Sequence, residues 1–180
     1  MGEQGIMDME KSDFIFLGRE FLTWLWFKSE ERNGSILIEN IGDIELLFFQ
    51  RIVLESGEGE YSETVACRGL HADLKEGKAA LKMGKRLKEA RLKMSIGSDE
   101  WEFTFKADDF DFQSMKMPAR QESGESDDEA EREGRMLERV YMIEKPMNMM
   151  EKLFAVFLKK RSTPLWSSEE LPRMEQWFTR

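Results

Sequence analysis

The stretch "FIFLGREFLTWLWF", residues 14–27, constrains the fold more than any other part of the chain. At helical spacing Phe14, Leu17, Phe21, Trp24 and Leu25 fall on one face, and Ile15, Leu22 and Trp26 widen it. Gly18, Arg19, Glu20 and Thr23 are left as a narrow polar strip. Ser12 or Asp13 suits an N-cap, and "NGS" after Arg32 stops the helix. A spanning helix needs about 20 predominantly apolar residues. This run is shorter, contains Arg19 and Glu20, and ends in "KSEER", so no membrane span is expected. A base-stacking surface is the other alternative, but a helix this apolar is normally buried from more than one side. The segment is therefore expected to be core, covered by a sheet and a second helical element.

The sheet is legible downstream. "IELLFFQRIVLES" and "EYSETVACRG" flank the turn "GEG" and predict two or three strands between Glu45 and Arg68. "LHADLKEGKAALKMG" has helical spacing and a stop at Gly84. Period two then returns. Ala90, Leu92, Met94 and Ile96 alternate with polar neighbours, as do Trp101, Phe103 and Phe105, and "GSDE" between them predicts a hairpin. "ADD" separates a further strand over residues 110–117. Such alternation means one wet and one buried face.

Beyond Pro118 the composition turns acidic, and Ser126 with Glu129 has capping-box spacing. A long helix with an apolar stripe from Met136 to Leu158 is expected, kinked by Pro146 near residues 142–145. "SSEELPRMEQWFTR" predicts a last helix with serine caps and Pro172 in its first turn. The expected organisation is a flexible segment 1–12, an α+β core 13–118, an acidic linker 119–128 and C-terminal helices 129–180. The fold class is α+β, a mainly antiparallel sheet covered by an N-terminal helix and C-terminal helices.

Few residues suit catalysis. Cys67 is the one cysteine and His71 the one histidine among 180 residues, which excludes a disulfide framework, a cysteine-rich zinc site and paired-histidine metal sites. Cys67 has the inward phase of a strand, and His71 has no partner motif for a triad. "GKAALKMGK" lacks the spacing of a phosphate-binding loop. Asp108, Asp109 and Asp111 have the residue types of a divalent-cation site, but two aspartates between strands are more often a polar turn. No catalytic residue, cofactor or metal is expected. The N-terminus lacks signal-peptide character, and a cytoplasmic location is expected.

Charge is distributed unevenly. The net charge of −9 argues against indiscriminate nucleic-acid binding. Yet Lys75, Lys78, Lys82, Lys85, Arg86, Lys88, Arg91 and Lys93 form a local basic run, opposed by Glu76 and Glu89. Such a run has the composition to track phosphates, and also that of a solvated helix face. The methionine-rich "MIEKPMNMMEK" and its surroundings supply a second candidate surface, a partner or homodimer interface around Met147, Met150, Phe154 and Trp177.

Taken in order, "FLGREFLTWLWFKSE", "RIVLESGEGEYSETVACRG", "GKAALKMGKRLKEARLKM", "EWEFTFKADDFDFQSMKMP", "DDEAEREGRMLERVYMIE" and "LFAVFLKKR" resemble the C-terminal part of the recombination-associated protein RdgC family. The resemblance covers about Phe14 to Trp177. It implies a nucleoid-associated, non-catalytic protein that forms ring-shaped dimers on duplex DNA with little sequence preference and restrains recombinase activity. The expected functions are therefore DNA association through the basic run or, alternatively, a protein-interaction module without DNA binding.

Overall fold

The computed structural model describes residues 3–31, 35–38, 42–56, 62–69, 74–120 and 128–180. Within them a single sheet is built from β1 (Ser35–Ile38), β2 (Gly42–Ser56), β3 (Glu63–Gly69), β4 (Arg86–Ile96), β5 (Asp99–Lys106) and β6 (Asp111–Lys116). All pairings are antiparallel, in the order β1-β2-β4-β5-β6. β3 pairs residues 50–56 of β2, on a strand whose residues 42–45 pair with β1. The helices are α1 (Glu3–Glu31), α2 (Leu74–Lys82), α3 (Glu129–Arg161) and α4 (Leu171–Thr179). This is the expected α+β architecture. The strand β1 was not anticipated, because "SILI" is too short to show a period.

The alternation of the strands sorts the sheet into two faces. Leu46, Phe48, Ile52 and Leu54 of β2, Leu87, Ala90, Leu92 and Met94 of β4, and Trp101, Phe103 and Phe105 of β5 are buried on one side. α1 packs against β4 and β2, burying Phe21, Leu22, Trp24, Leu25, Trp26 and Phe27, so residues 21–27 of the opening stretch are core, whereas Phe14, expected on the buried face, and Phe16 are exposed. The helix begins at Glu3 rather than at a cap on Ser12 or Asp13, and so takes in most of the segment expected to be flexible. "EQGIMDMEKS" is rich in Glu, Gln, Met and Lys and has no proline, so nothing in it stops a helix.

Two glycines set close approaches. A β-carbon at Gly18 would collide with the Ala107 carbonyl oxygen, so α1 crosses the β5–β6 connection nearly backbone to backbone. At Gly77 a β-carbon would lie 2.7 Å from both Ile52 and Trp26, which brings α2 down onto the core. α2 ends as predicted at Gly84, φ 88°, where the Gly84 amide donates to Leu81 and the Lys85 amide to Ala80, a Schellman closure. Gly97, φ 62°, turns β4 into β5.

The polar strip of α1 is used for tertiary ties. Arg19 donates from Nε and Nη2 to Asp108 at 2.6 and 2.7 Å, and from Nη2 to Glu55 at 2.6 Å. Glu20 accepts from Arg161 of α3. Glu170, 2% exposed, accepts from the Trp24 indole at 2.9 Å and pairs with Lys28 at 2.5 Å and Lys160 at 3.0 Å, joining α1 and α3 to the start of α4. Burial alone would raise the Glu170 carboxyl, but Lys28, Trp24 and Lys160 hold it below the usual carboxylate range.

Pro172 lies in the first turn of α4, as expected, and Pro146 lies inside α3. α3 starts on an Asp128 cap, whose Oδ1 accepts from the Ala130 amide at 3.1 Å; the cap expected at Ser126 lies outside the described residues. The helix continues through Pro146, which has no N–H to give the Met142 carbonyl. That carbonyl instead accepts from the buried Trp101 indole at 2.9 Å. Ahead of Pro172 the backbone forms a π-helical turn, Trp166–Glu170, with the Leu171 amide donating to Trp166. The expected serine caps are absent there; the Ser168 hydroxyl donates to the Pro164 carbonyl at 3.2 Å.

Trp101→Phe leaves the Met142 carbonyl buried without a donor and is expected to cost about 1–3 kcal/mol in urea unfolding. In a Pro146→Ala background residue 146 regains its N–H and supplies that donor, so the cost of Trp101→Phe falls. Equal costs in both backgrounds would show that the indole matters only as packing.

Candidate interaction surfaces

The basic run divides among three settings. Lys75 and Lys82 are exposed on α2, whereas Lys78 donates to Glu30 at 2.7 Å and lies 4.8 Å above the Trp177 ring. Lys85, 4% exposed, follows the Schellman closure inward and donates to Glu63 at 2.9 Å. Arg86 is exposed, and Lys88 donates to both oxygens of Glu55 at 3.0 and 3.2 Å. Arg91 and Lys93 stand on the outward face of β4. The first donates to the Ser114 carbonyl at 2.8 Å and to Glu102 at 3.4 Å, and the second pairs with Glu100 at 3.0 Å.

The carboxylates of these pairs respond in the direction that pairing demands. Burial would raise Glu55, but hydrogen bonds from Lys88 and Arg19 hold it below its ordinary value. Glu102 behaves alike: burial opposes its charge, and Lys116, Lys93 and Arg91 more than offset it. A hydrogen bond from Lys85 lowers Glu63. A phosphate recruiting Lys85, Lys88 or Lys93 would therefore compete with an ionised carboxylate already in place, and one recruiting Lys78 would displace its hydrogen bond to Glu30.

The aspartate turn is a structural clamp. Asp108 holds Arg19 in a fork, raising the guanidinium's pKa, while Asp109 is exposed and Asp111 accepts from Gln113 at 2.8 Å. Among the described residues no group of three or more His, Cys, Asp or Glu side chains could hold a metal ion. Cys67 is buried opposite Ile52, and His71 lies outside the described residues. No described helix is long and apolar enough to cross a membrane.

The candidate partner residues also separate. Met150 is fully buried, Phe154 packs on Phe21, Phe110 and Phe157, and Trp177 packs on Trp26 and Phe27 while its indole donates to Glu30. Met147 alone of the four opens onto a surface cavity, about 290 Å³, formed between α3 and β6. Its other walls are Phe110, Asp111, Phe112, Met115, Met117 and Ile143.

This groove extends along α3. The 33 residues of the helix span about 50 Å at 1.5 Å each, longer than the body beneath them can cover. Its buried residues begin at Met142, and before that point Met136, Leu137, Val140 and Tyr141 are exposed. Met136, Val140, Ile143, Met147, Met150, Phe154 and Phe157 recur at alternating four- and three-residue steps. The last three meet the body; the first three are solvent-exposed. Phe110, φ 52°, stands where cover ends, held in a backbone region that a bulky residue rarely adopts by rings of Phe105, Phe112 and Phe154 at 4.9 to 6.2 Å. The stripe itself was visible in the sequence; its uncovered half was not, since only the fold shows where the body stops.

Glu55 has a lowered folded pKa, so its contribution to stability is fully present above the unfolded value of about 4.3 and is lost as pH falls through the lower folded value. Glu55→Gln is expected to destabilise the protein by about 2 kcal/mol at pH 7 and by less at acid pH, read from urea midpoints across a pH series. An equal loss at every pH would mean that charge plays no part.

Compared with family models, curated proteins and solved structures, the chain matches none.

Proposed function

We propose that this chain is a non-catalytic protein-interaction module that joins an assembly through the uncovered apolar face of α3. The supporting observation is the stripe whose C-terminal half is core while Met136, Val140 and Ile143 stay exposed and run into the groove at Met147. Isolated exposed apolar residues are ordinary, but a continuous row that joins an apolar groove marks a docking surface. Methionines suit such a surface because their flexible, polarisable side chains adapt to a partner's shape. Many carboxylate and lysine groups of the body are taken up in ties between elements, although Lys75, Lys82, Arg86 and Asp109 remain exposed.

A second reading, RdgC-like association with DNA, is favoured by one feature of the sheet. Arg51 and Arg68 are exposed cross-strand neighbours, and Arg91, Lys93, Lys106 and Lys116 alternate outward on the same face. These six cations share that face with Asp43, Glu45, Glu89, Glu100, Glu102 and Asp111, so the cationic part of it is local to the Arg51–Arg68 pair, in a chain that carries −9. Backbone phosphates would be the contact, with little sequence preference.

The two readings respond to different variants. Leu137→Gln with Val140→Gln is expected to leave the thermal midpoint unchanged within about 0.5 kcal/mol of stability while abolishing binding of an apolar fluorescent dye to the native protein. Dye binding that survives would sink the interaction reading. For the second, Arg51→Glu with Arg68→Glu is expected to weaken anisotropy-detected binding to labelled duplex DNA and to reduce the salt slope by about one per lost phosphate contact. A parent protein that does not bind duplex at low salt removes that reading.

A further inference from the structure

We propose that the α3–β6 groove receives the apolar face of a basic amphipathic helix from a partner protein; this rests on the interaction reading above and adds the chemistry of the occupant. The floor is methionine- and phenylalanine-rich: Phe112, Met115, Met117, Ile143 and Met147, extended by Val140. A row of apolar side chains along a helix beside an apolar strand wall is the shape that takes a second helix at i, i+3, i+4 and i+7 positions.

An added strand fits less well. β6 is the outer strand of the described sheet, but Ser114 has φ 50° and the register with β5 shifts there, so its free edge is bent by a bulge.

The rim supplies the charge. Asp111 lines the groove itself. Glu144 lies one turn from both Val140 and Met147, Glu151 one turn beyond Met147, and Glu133 one turn before Met136, and all three are exposed. Arg132, Arg135 and Arg139 flank the other side of the stripe, and over residues 129–151 α3 carries six glutamates against four cations, these three and Lys145. Of the nearby cations, Lys116 pairs with Glu102 and Arg120 with Glu138, both off the groove floor. An occupant with lysines or arginines beside its apolar face meets complementary charge, and an acidic one does not.

The test uses the full chain, with methyl-labelled methionines, and two fluorescent 18-residue helical peptides that share one leucine face and carry either lysine or glutamate on the polar face. The lysine peptide is expected to bind saturably and at least tenfold more tightly than the glutamate peptide, shifting the methyl resonances of Met115, Met117, Met136 and Met147 but not those of the buried Met94 and Met150. Ile143→Gln with Met147→Gln should abolish binding of the lysine peptide, and Glu144→Lys with Glu151→Lys should reverse the order of the two. Circular dichroism and thermal midpoints establish that each variant is folded.

Equal binding of both peptides would overturn the basic-partner inference and leave the interaction reading standing. So would a concentration-dependent dimer that shifts the same methionines without peptide, because the occupant would then be a second copy. Lysine-peptide binding unaffected by Ile143→Gln with Met147→Gln would overturn the site. If neither peptide binds, no dimer forms and no apolar dye binds the native protein, the interaction reading falls with it.

Discussion

A helix that is apolar on nearly every side has to be covered on nearly every side, and α1 imposes that demand on the rest of this chain. The sheet supplies the first wall, with α1 packed on β4 and β2 and Trp26 stacked on Phe48. Phe154, Phe157 and Trp166 from the C-terminal segment close a second side around Phe21 and Trp24. Trp177 of α4 closes a third against Trp26 and Phe27. Because α1 is covered by β2, β4, α3 and α4, the core is a single continuous cluster running from Phe21 to Met174.

Burying such a helix also buries its polar groups, and most of them meet a partner, although among the described residues the Trp26 indole N–H has none. Arg19 finds Asp108 and Glu55, Glu20 finds Arg161, and the Trp24 indole finds Glu170. These ties fix the angle of α1 on the sheet in a way that non-directional apolar packing does not. The same economy appears in α3, where a carbonyl freed by Pro146 is satisfied by Trp101 of the sheet. Helix interruptions that would be liabilities in isolation are thus sites where the layers are joined.

The parts of this architecture governed by local period were legible in the sequence. The helix over residues 14–31, the alternation of β4 and β5, the Gly84 stop and the long helix after Asp128 all follow from side-chain spacing and backbone preference. What depended on distant residues was not. The basic run looks continuous because Lys75 to Lys93 are neighbours in the chain, but Glu30, Glu55, Glu63, Glu100 and Glu102, which take up its charges, come from four other elements or their edges. Phe154 and Trp177 resemble interface residues in sequence for the same reason. Their periodicity fits an interface and a core equally, and only the position of α1 decides between them.

The distinction between core and interface along α3 is therefore one of length rather than of composition. Over Met150, Phe154 and Phe157 the stripe meets Phe21, Phe110 and Trp166; over Met136, Val140 and Ile143 the same spacing continues with exposed side chains. If folding of the body alone had shaped this helix, polar residues on the projecting half would serve as well, since exposed apolar side chains add nothing to its stability there. Helix propensity does not explain them either, because Val140, Tyr141 and Ile143 are poorer helix formers than the glutamates and arginines interspersed with them. An apolar row on the exposed half gains free energy only when something covers it. The groove at Met147, where Phe110 ends the cover that the described residues supply, is where that covering would begin.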